Sequence, residues 1–127
     1  MEEKIVNEQV SLENASPEAI AEKIAEILDA KKGKDIKVLP ITDRTDIADY
    51  FVIASGTSNT HIRTLADEVE YQMNLAGVSP MSYEGRGNNS WILIDYGCVV
   101  VHVFSREARE FYNLDKLYRE KSGDKNN

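Results

Sequence analysis

Two segments carry apolar residues at helical spacing. Ser16-Pro17-Glu18 is a strong helix start, with Ser16 as N-cap and Pro17 in the first turn. The apolar positions that follow are Ile20, Ile24, Ile27 and Leu28. Lys31-Lys32-Gly33 predicts the helix end, because cations and a glycine able to adopt a left-handed conformation are common there. A second apolar stripe, residues 62–76, begins after Gly56-Thr57-Ser58 and ends at Gly77, so it predicts a helix packed on a sheet.

Five segments have the character of strands. Residues 35–41 form the first, although Pro40 places its far end at a sheet edge or exit. Residues 50–55 are a continuous apolar run, which is typical of a strand covered on both faces. A short strand at 81–83 precedes the loop 85–90. Residues 91–95 and 98–104 flank the turn residues Tyr96-Gly97 and predict an antiparallel hairpin.

Two short helices complete the predicted order. Ser105 caps one that carries Phe111 and Tyr112, and Asn113 caps another with Leu114, Leu117 and Tyr118. The resulting order αββαβββαα predicts an α/β (α+β) fold, a mixed five-stranded sheet with flanking helices.

A chain of 127 residues has room for one hydrophobic core. We expect a single domain over residues 16–120, with flexible tails at 1–15 and 121–127. No apolar run approaches the roughly 18 to 20 residues of a membrane span. The acidic start Met1-Glu2-Glu3-Lys4 lacks the features of a secretory signal or transit peptide, which leads us to expect a cytoplasmic location.

The charge balance indicates which class of binding partner suits the chain. There are 22 acidic and 15 basic residues, a formal net charge of −7. Nucleic acid binding depends on cations that meet phosphates, so an acidic chain without a basic stripe is a poor direct binder of RNA or DNA. A basic protein suits it better, although solubility alone explains the acidity equally well.

Candidate catalytic groups are few. The histidines and cysteine are His61, His102 and Cys98, so we expect no metal site and no cofactor. His102 lies in a strand without a neighbouring carboxylate on its face, which favours a structural or interface histidine over a general base.

Asp43, Asp46 and Asp49 precede the second strand and invite a two-metal interpretation. Asp46 and Asp49 are three residues apart, however, and would project to opposite faces of an extended chain, which favours turn residues. Ser55-Gly56-Thr57-Ser58 could cradle a phosphate, but it lacks the lysine of a P-loop and is better explained as a helix cap.

The predicted hairpin has two unlike faces. Trp91, Leu93 and Asp95 share one, and Ile92 and Ile94 share the other. Aromatic residues are favoured both in cores and at binding hot spots, so the face of Trp91 is either a contact surface or simply packed core.

Several motifs resemble one family. They are residues 49–56 (DYFVIASG) followed by Ser58, then Glu84-Gly85, 91–97 (WILIDYG), 101–104 (VHVF) and 109–112 (REFY) with Leu114. In this order they resemble the ribosome silencing factors, also called Iojap-like proteins, across residues 16–118. Cys98 is a departure, since the family commonly has an acidic residue there.

The resemblance implies a non-enzymatic protein that binds the large ribosomal subunit through ribosomal protein L-fourteen. It would block association with the small subunit and repress translation under nutrient limitation or in stationary phase. It also implies a nucleotidyltransferase-like fold without the catalytic carboxylates, and a homodimer off the ribosome. The expected partner-binding residues are Trp91, Asp95 and Tyr96, supported by Glu84, His102 and Arg109.

Two alternatives stay open from the residues themselves. One is a metal-dependent nucleotidyltransferase acting on RNA, with Asp46, Asp49 and Asp95 beside Gly56-Thr57-Ser58. The other is an RNA-binding assembly factor, which the acidic balance disfavours.

Overall fold

The computed structural model describes residues 11–43, 45–87 and 90–116. Within these ranges the chain forms three helices and five strands, followed by a single helical turn at 114–116. The predicted element order is therefore confirmed up to that turn, whereas Leu117 and Tyr118 lie outside the described residues. The elements are α1 (Pro17–Ala30), β1 (Lys34–Pro40), β2 (Tyr50–Gly56), α2 (Asn59–Leu75), β3 (Ser82–Glu84), β4 (Trp91–Asp95), β5 (Val99–Ser105) and α3 (Arg106–Tyr112).

The five strands form one mixed sheet in the order β1-β2-β5-β4-β3. β2 and β5 are parallel neighbours at its centre, and the other three pairings are antiparallel. The mixed five-stranded sheet with flanking helices is thus confirmed. β2 is buried from Phe51 to Gly56, as its continuous apolar run predicts for a strand covered on both faces.

One face of the sheet is covered by α1 and α2, which supply the larger core. Ile24 and Leu28 of α1 and Leu65 and Val69 of α2 are fully buried there, against strand residues such as Val101. The hydroxyl oxygen of Ser16 accepts a hydrogen bond from the Ala19 amide at 3.1 Å, so the predicted N-cap of α1 is confirmed.

The end of α1 differs from the prediction. Lys32, with φ of 66°, adopts the left-handed conformation that was expected of Gly33. Gly33 serves another purpose, since a Cβ there would lie 3.1 Å from the Leu28 carbonyl oxygen. The chain turns back onto the helix one residue early, and the missing side chain lets β1 start close beside it.

His61 joins the two long helices. Its Nδ1 accepts a hydrogen bond from the Thr57 amide, and its Nε2–H donates to the Lys31 carbonyl oxygen, each at 2.9 Å. Since Lys31 is the C-cap of α1, this histidine links the end of α1 to the start of α2 and has a structural role.

Packing begins before the predicted domain boundary at Ser16. The Leu12 amide donates to the Ala76 carbonyl oxygen at 2.8 Å, and Leu12 and Ala15 pack against the larger core. The last part of the predicted tail at 1–15 therefore lies on the end of α2.

Candidate docking site

The second face of the sheet, which we call the open face, carries no layer of long helices from the described residues. Its residues form rows across the strands, because paired residues of neighbouring strands point to the same side. One row starts at the edge strand β3 and ends at β1, and its members are Glu84, Leu93, His102, Ile53 and Lys37. The row beside it contains Ser82, Asp95, Val100, Phe51 and Leu39.

A small second core covers only part of the open face. Ile41 and Ala48, from the segment before β2, and Ala108 of α3 pack with buried strand residues such as Phe104. Trp91 and Leu93 are only partly buried at the margin of this core. Among the described residues, the β4 side of the open face is therefore partly accessible.

Aromatic side chains extend this accessible part onto α3. The ring of Tyr112 lies 4.6 Å from the Trp91 ring and 5.0 Å from the Phe111 ring, centroid to centroid. Phe111 is 80% exposed and Tyr112 46%. We call Trp91, Leu93, Phe111 and Tyr112 the aromatic patch. Contiguous exposed apolar residues of this kind are typical of interaction sites, and Trp and Tyr are frequent hot spots.

His102 lies beneath the patch and orients it. The indole Nε1–H of Trp91 donates to His102 Nδ1 at 3.1 Å, and the Phe51 ring meets the imidazole edge-on at 4.5 Å. Burial disfavours the charged imidazolium and lowers the pKa of His102 to about 4. The imidazole is therefore neutral at physiological pH, and its Nδ1 accepts the hydrogen bond from the Trp91 indole while its own proton is on Nε2.

Asp95 and Glu84 place negative charge beside the patch. The Asp95 carboxylate accepts a hydrogen bond from the Gly97 amide at 2.7 Å, and Gly97 has φ of 87°, so the predicted tight turn is confirmed. Glu84 is exposed on the edge strand, paired with Leu93. Tyr96 points the other way, into the larger core, where burial raises the pKa of its hydroxyl.

Arg109 holds α3 in place. Its guanidinium forms two hydrogen bonds of 2.8 Å to the Asp115 carboxylate, donates to Ser55 Oγ at 2.8 Å and to the Asp35 carbonyl oxygen at 2.6 Å. Burial would raise the pKa of Asp115, but the hydrogen bonds and charge of Arg109 prevail and lower it. Arg109 is thus tied to β1, β2 and the final turn. Sequence reasoning missed Asp115 and Ser55 as its partners, and no motif in the sequence signals them.

The structure brings together four of the six predicted site residues. Trp91, Asp95, Glu84 and His102 lie on the open face, with His102 buried beneath the others. Tyr96 and Arg109 do not project into the aromatic patch.

The carboxylates of the nucleotidyltransferase alternative have separate surroundings. Asp46 is exposed in the loop before β2, Asp49 accepts a weak hydrogen bond from Thr42 at 3.5 Å, and Asp95 is bound to its own turn. Across residues 11–43, 45–87 and 90–116, no three His, Cys, Asp or Glu side chains are grouped to hold a metal ion. No helix in the same ranges is long and apolar enough to cross a membrane.

The junction between β2 and α2 is a helix cap. Ser58 Oγ accepts a hydrogen bond from the His61 amide at 3.0 Å, which confirms that interpretation. A Cβ at Gly56 would lie 2.8 Å from Ile62 Cγ1 and 2.9 Å from the Ile62 nitrogen. This glycine therefore permits close packing of strand on helix.

Solved structures share this fold. A crystal structure of a protein from Chromobacterium violaceum matches with a TM-score of 0.79 and 33% sequence identity, covering 81% of this chain and 86% of the other. A second, from Bacillus halodurans, matches with a TM-score of 0.67 and 33% identity, covering 76% of this chain and 90% of the other. The architecture thus defines a class of small mixed-sheet proteins known from several bacteria.

The family follows from the sequence matches. Residues 13–127 match the family described as "Ribosomal silencing factor during starvation", and the chain belongs to that family. The Ribosomal silencing factor RsfS of Haemophilus influenzae is 35% identical over 100 residues, which span 79% of this chain and 98% of the relative. The protein of the same name from Bacillus subtilis is 38% identical over 90 residues, 71% of this chain and 76% of the relative. The resemblance seen in the sequence motifs is confirmed.

Proposed function

We propose that the chain silences ribosomes by docking its open face onto ribosomal protein L-fourteen of the large subunit. The bound domain occupies space that the small subunit needs, so subunits stay apart and translation falls when nutrients are limiting. The observation that carries this proposal is the aromatic patch, a partly exposed apolar surface bordered by carboxylates in a chain that belongs to the silencing factor family.

Charge favours a protein partner over bare RNA. Glu84 and Asp95 border the patch, and the chain as a whole carries a formal charge of −7. RNA phosphates repel such a surface, and a basic ribosomal protein attracts it. This attraction accelerates the association of the two proteins and favours a basic protein over RNA as the partner.

The six predicted residues divide into two roles in this proposal. Trp91, Asp95 and Glu84 contact the partner, together with Phe111 of the aromatic patch. His102 accepts the Trp91 hydrogen bond and fixes the indole, and Arg109 fixes α3 and thereby Phe111. Tyr96 supports the turn that presents Asp95, since its amide donates to the Val99 carbonyl oxygen at 2.9 Å.

The mechanism is steric and needs no catalytic group. A stable interface buries roughly 1,200 to 2,000 Å² in total, which a domain of this size can supply from one face. We therefore propose that the chain has no enzymatic activity, no cofactor and a cytoplasmic place of action. Pairing of two copies off the ribosome stays a prediction, which sedimentation velocity of the free protein measures.

Co-sedimentation with separated bacterial ribosomal subunits tests the docking site. We expect the full chain to pellet with large subunits and not with small ones. Phe111→Ser should weaken binding at least tenfold, since truncating a buried hot spot costs about 2 kcal/mol or more. At 80% exposure this side chain contributes little to the fold, so the variant should remain folded.

Charge variants measure the electrostatic contribution to binding of the large subunit. Glu84→Lys should weaken binding relative to the parent, because the introduced cation faces a basic partner. The difference from the parent should grow as the salt concentration is lowered. Asp95→Asn keeps an acceptor for the Gly97 amide while removing the charge, so it tests charge without disturbing the turn. Glu22→Lys on the opposite face makes the same change of net charge as Glu84→Lys, so it is the matched control and should bind as the parent does. Unchanged binding by Phe111→Ser and Glu84→Lys would refute this placement of the interface.

A further inference from the structure

A shallow, open groove lies between α1 and the edge strand β1, on the helix-covered side of the sheet. It is a groove of about 800 Å³, and its floor is apolar, formed by Ala25, Ile36, Val38 and Tyr50. Val38 is 37% exposed, and its cross-strand partner Val52 is completely buried, so the floor is the accessible margin of the larger core.

Carboxylates line the helical wall of this groove. Glu18, Glu22, Glu26 and Asp29 are all exposed and all line it. Their spacing of four, four and three residues places them on one side of α1. Lys23 Nζ lies 3.9 Å from Glu26 Oε1 in an exposed ion pair and neutralises that carboxylate only weakly.

An apolar floor beside a row of carboxylates matches one kind of occupant. We propose that this groove, the α1 groove, binds a basic amphipathic helix of a protein partner, with apolar residues on the floor and Lys or Arg against the wall. The carboxylates lie within residues 18–29 of α1, a length of about 16 Å at the helical rise, which corresponds to about three turns of a partner helix.

Strand addition to β1 fits the groove less well. The register of β1 with β2 shifts between Lys34 and Lys37, and Pro40 at the other end of the strand lacks an amide hydrogen. Too few consecutive backbone groups remain between them for an added strand, whereas side chains of a helix can reach the floor without pairing with the edge.

The α1 groove is separate from the surface proposed to dock on the ribosome. The aromatic patch lies on the opposite face of the sheet, so both surfaces could be occupied at once. The groove thus gives the chain a place to bind a second protein while it is attached to the large subunit, and the two proposals can fail independently.

A designed peptide tests the α1 groove. The probe is a 14-residue helical peptide with leucines on one face and lysines beside them, and the comparison is the same peptide with glutamate for lysine. We expect saturable binding of the lysine peptide to the full ¹⁵N-labelled chain, with the largest amide shifts at Ala25, Ile36, Val38 and Tyr50. The glutamate peptide should cause no shifts at equal concentration.

Variants distinguish the groove from general attraction to an acidic protein. Glu22→Lys/Glu26→Lys should weaken lysine-peptide binding about tenfold or more, since it turns two attractions into repulsions. Val38→Asp should also weaken it, because the floor is then charged. The control Glu107→Lys/Glu110→Lys makes the same change of net charge on α3 and should bind the peptide as the parent does.

Three results would overturn the proposal. Equal weakening by the α3 control would show attraction by net charge alone. Shifts centred on Phe111 and Trp91 would assign the peptide to the aromatic patch. A dimer of the free chain that dissociates on Val38→Asp would assign the groove to a second copy. Large-subunit binding by Glu22→Lys/Glu26→Lys, measured in parallel, reports on the proposed ribosomal site and not on the groove.

Discussion

Replacing Arg109 with alanine should destabilise the fold and loosen the proposed docking surface together. The Arg109 and Asp115 side chains are only 10% and 15% exposed, so Arg109→Ala leaves a largely buried carboxylate without its bidentate partner. Removing one member of a fully buried pair costs about 3 to 5 kcal/mol, and the residual exposure places this pair near the lower limit, about 3 kcal/mol. For a domain of this size, that corresponds to a fall in Tm on the order of 10 °C.

Urea unfolding of the single and double variants measures this effect. The effects of Asp115→Asn and Arg109→Ala on the free energy of unfolding should not be additive, and the coupling free energy should be about 1 to 3 kcal/mol. The pKa of Asp115 is lowered in the folded state, so the ion pair contributes to stability at a pH above the ordinary aspartate pKa of about 4. This contribution is lost as the pH falls below that value. A loss below about 1 kcal/mol for Arg109→Ala, or strict additivity, would refute the assigned role.

Three further predictions follow from individual contacts. As the pH falls from about 6.5 to about 4, the unfolded chain gains a proton on His102 before the folded chain does. The free energy of unfolding should therefore fall by up to about 3 kcal/mol over this range. Urea titrations should show this loss in the parent but not in His102→Phe. Gly56→Ala should cost about 1 to 3 kcal/mol, because its methyl group meets the Ile62 backbone, and a neutral effect would contradict the packing role. Ser16→Ala should lower the stability measured by thermal unfolding by about 1 kcal/mol, because the N-cap hydrogen bond to the Ala19 amide is lost. Ser16→Asp should retain most of the stabilisation that this hydrogen bond provides.

Local signals explain why so much of the fold could be predicted. Ser16, Ser58 and Ser105 each cap a helix as expected, because the capping hydroxyl reaches an amide only three residues away. The uninterrupted apolar run of β2 correctly indicated a central strand.

Non-local contacts explain what could not be predicted. Arg109 is 54 residues from Ser55 and 74 from Asp35, and no periodic pattern links such positions. The alternation in β4 correctly separated Trp91 from Ile92, but only the pairing of strands shows which face the helices cover. The resemblance places Tyr96 with Trp91 and Asp95 among the expected contact residues, whereas the structure directs its ring into the larger core.

The association of ribosomal subunits is the most direct test of the central claim. Purified large and small subunits are mixed at permissive magnesium concentration, and light scattering follows their joining with and without a saturating amount of the chain. The protein should prevent joining, and Phe111→Ser, which should retain the fold, should restore it. Joining at the normal rate while the parent protein stays bound to the large subunit would contradict the steric mechanism.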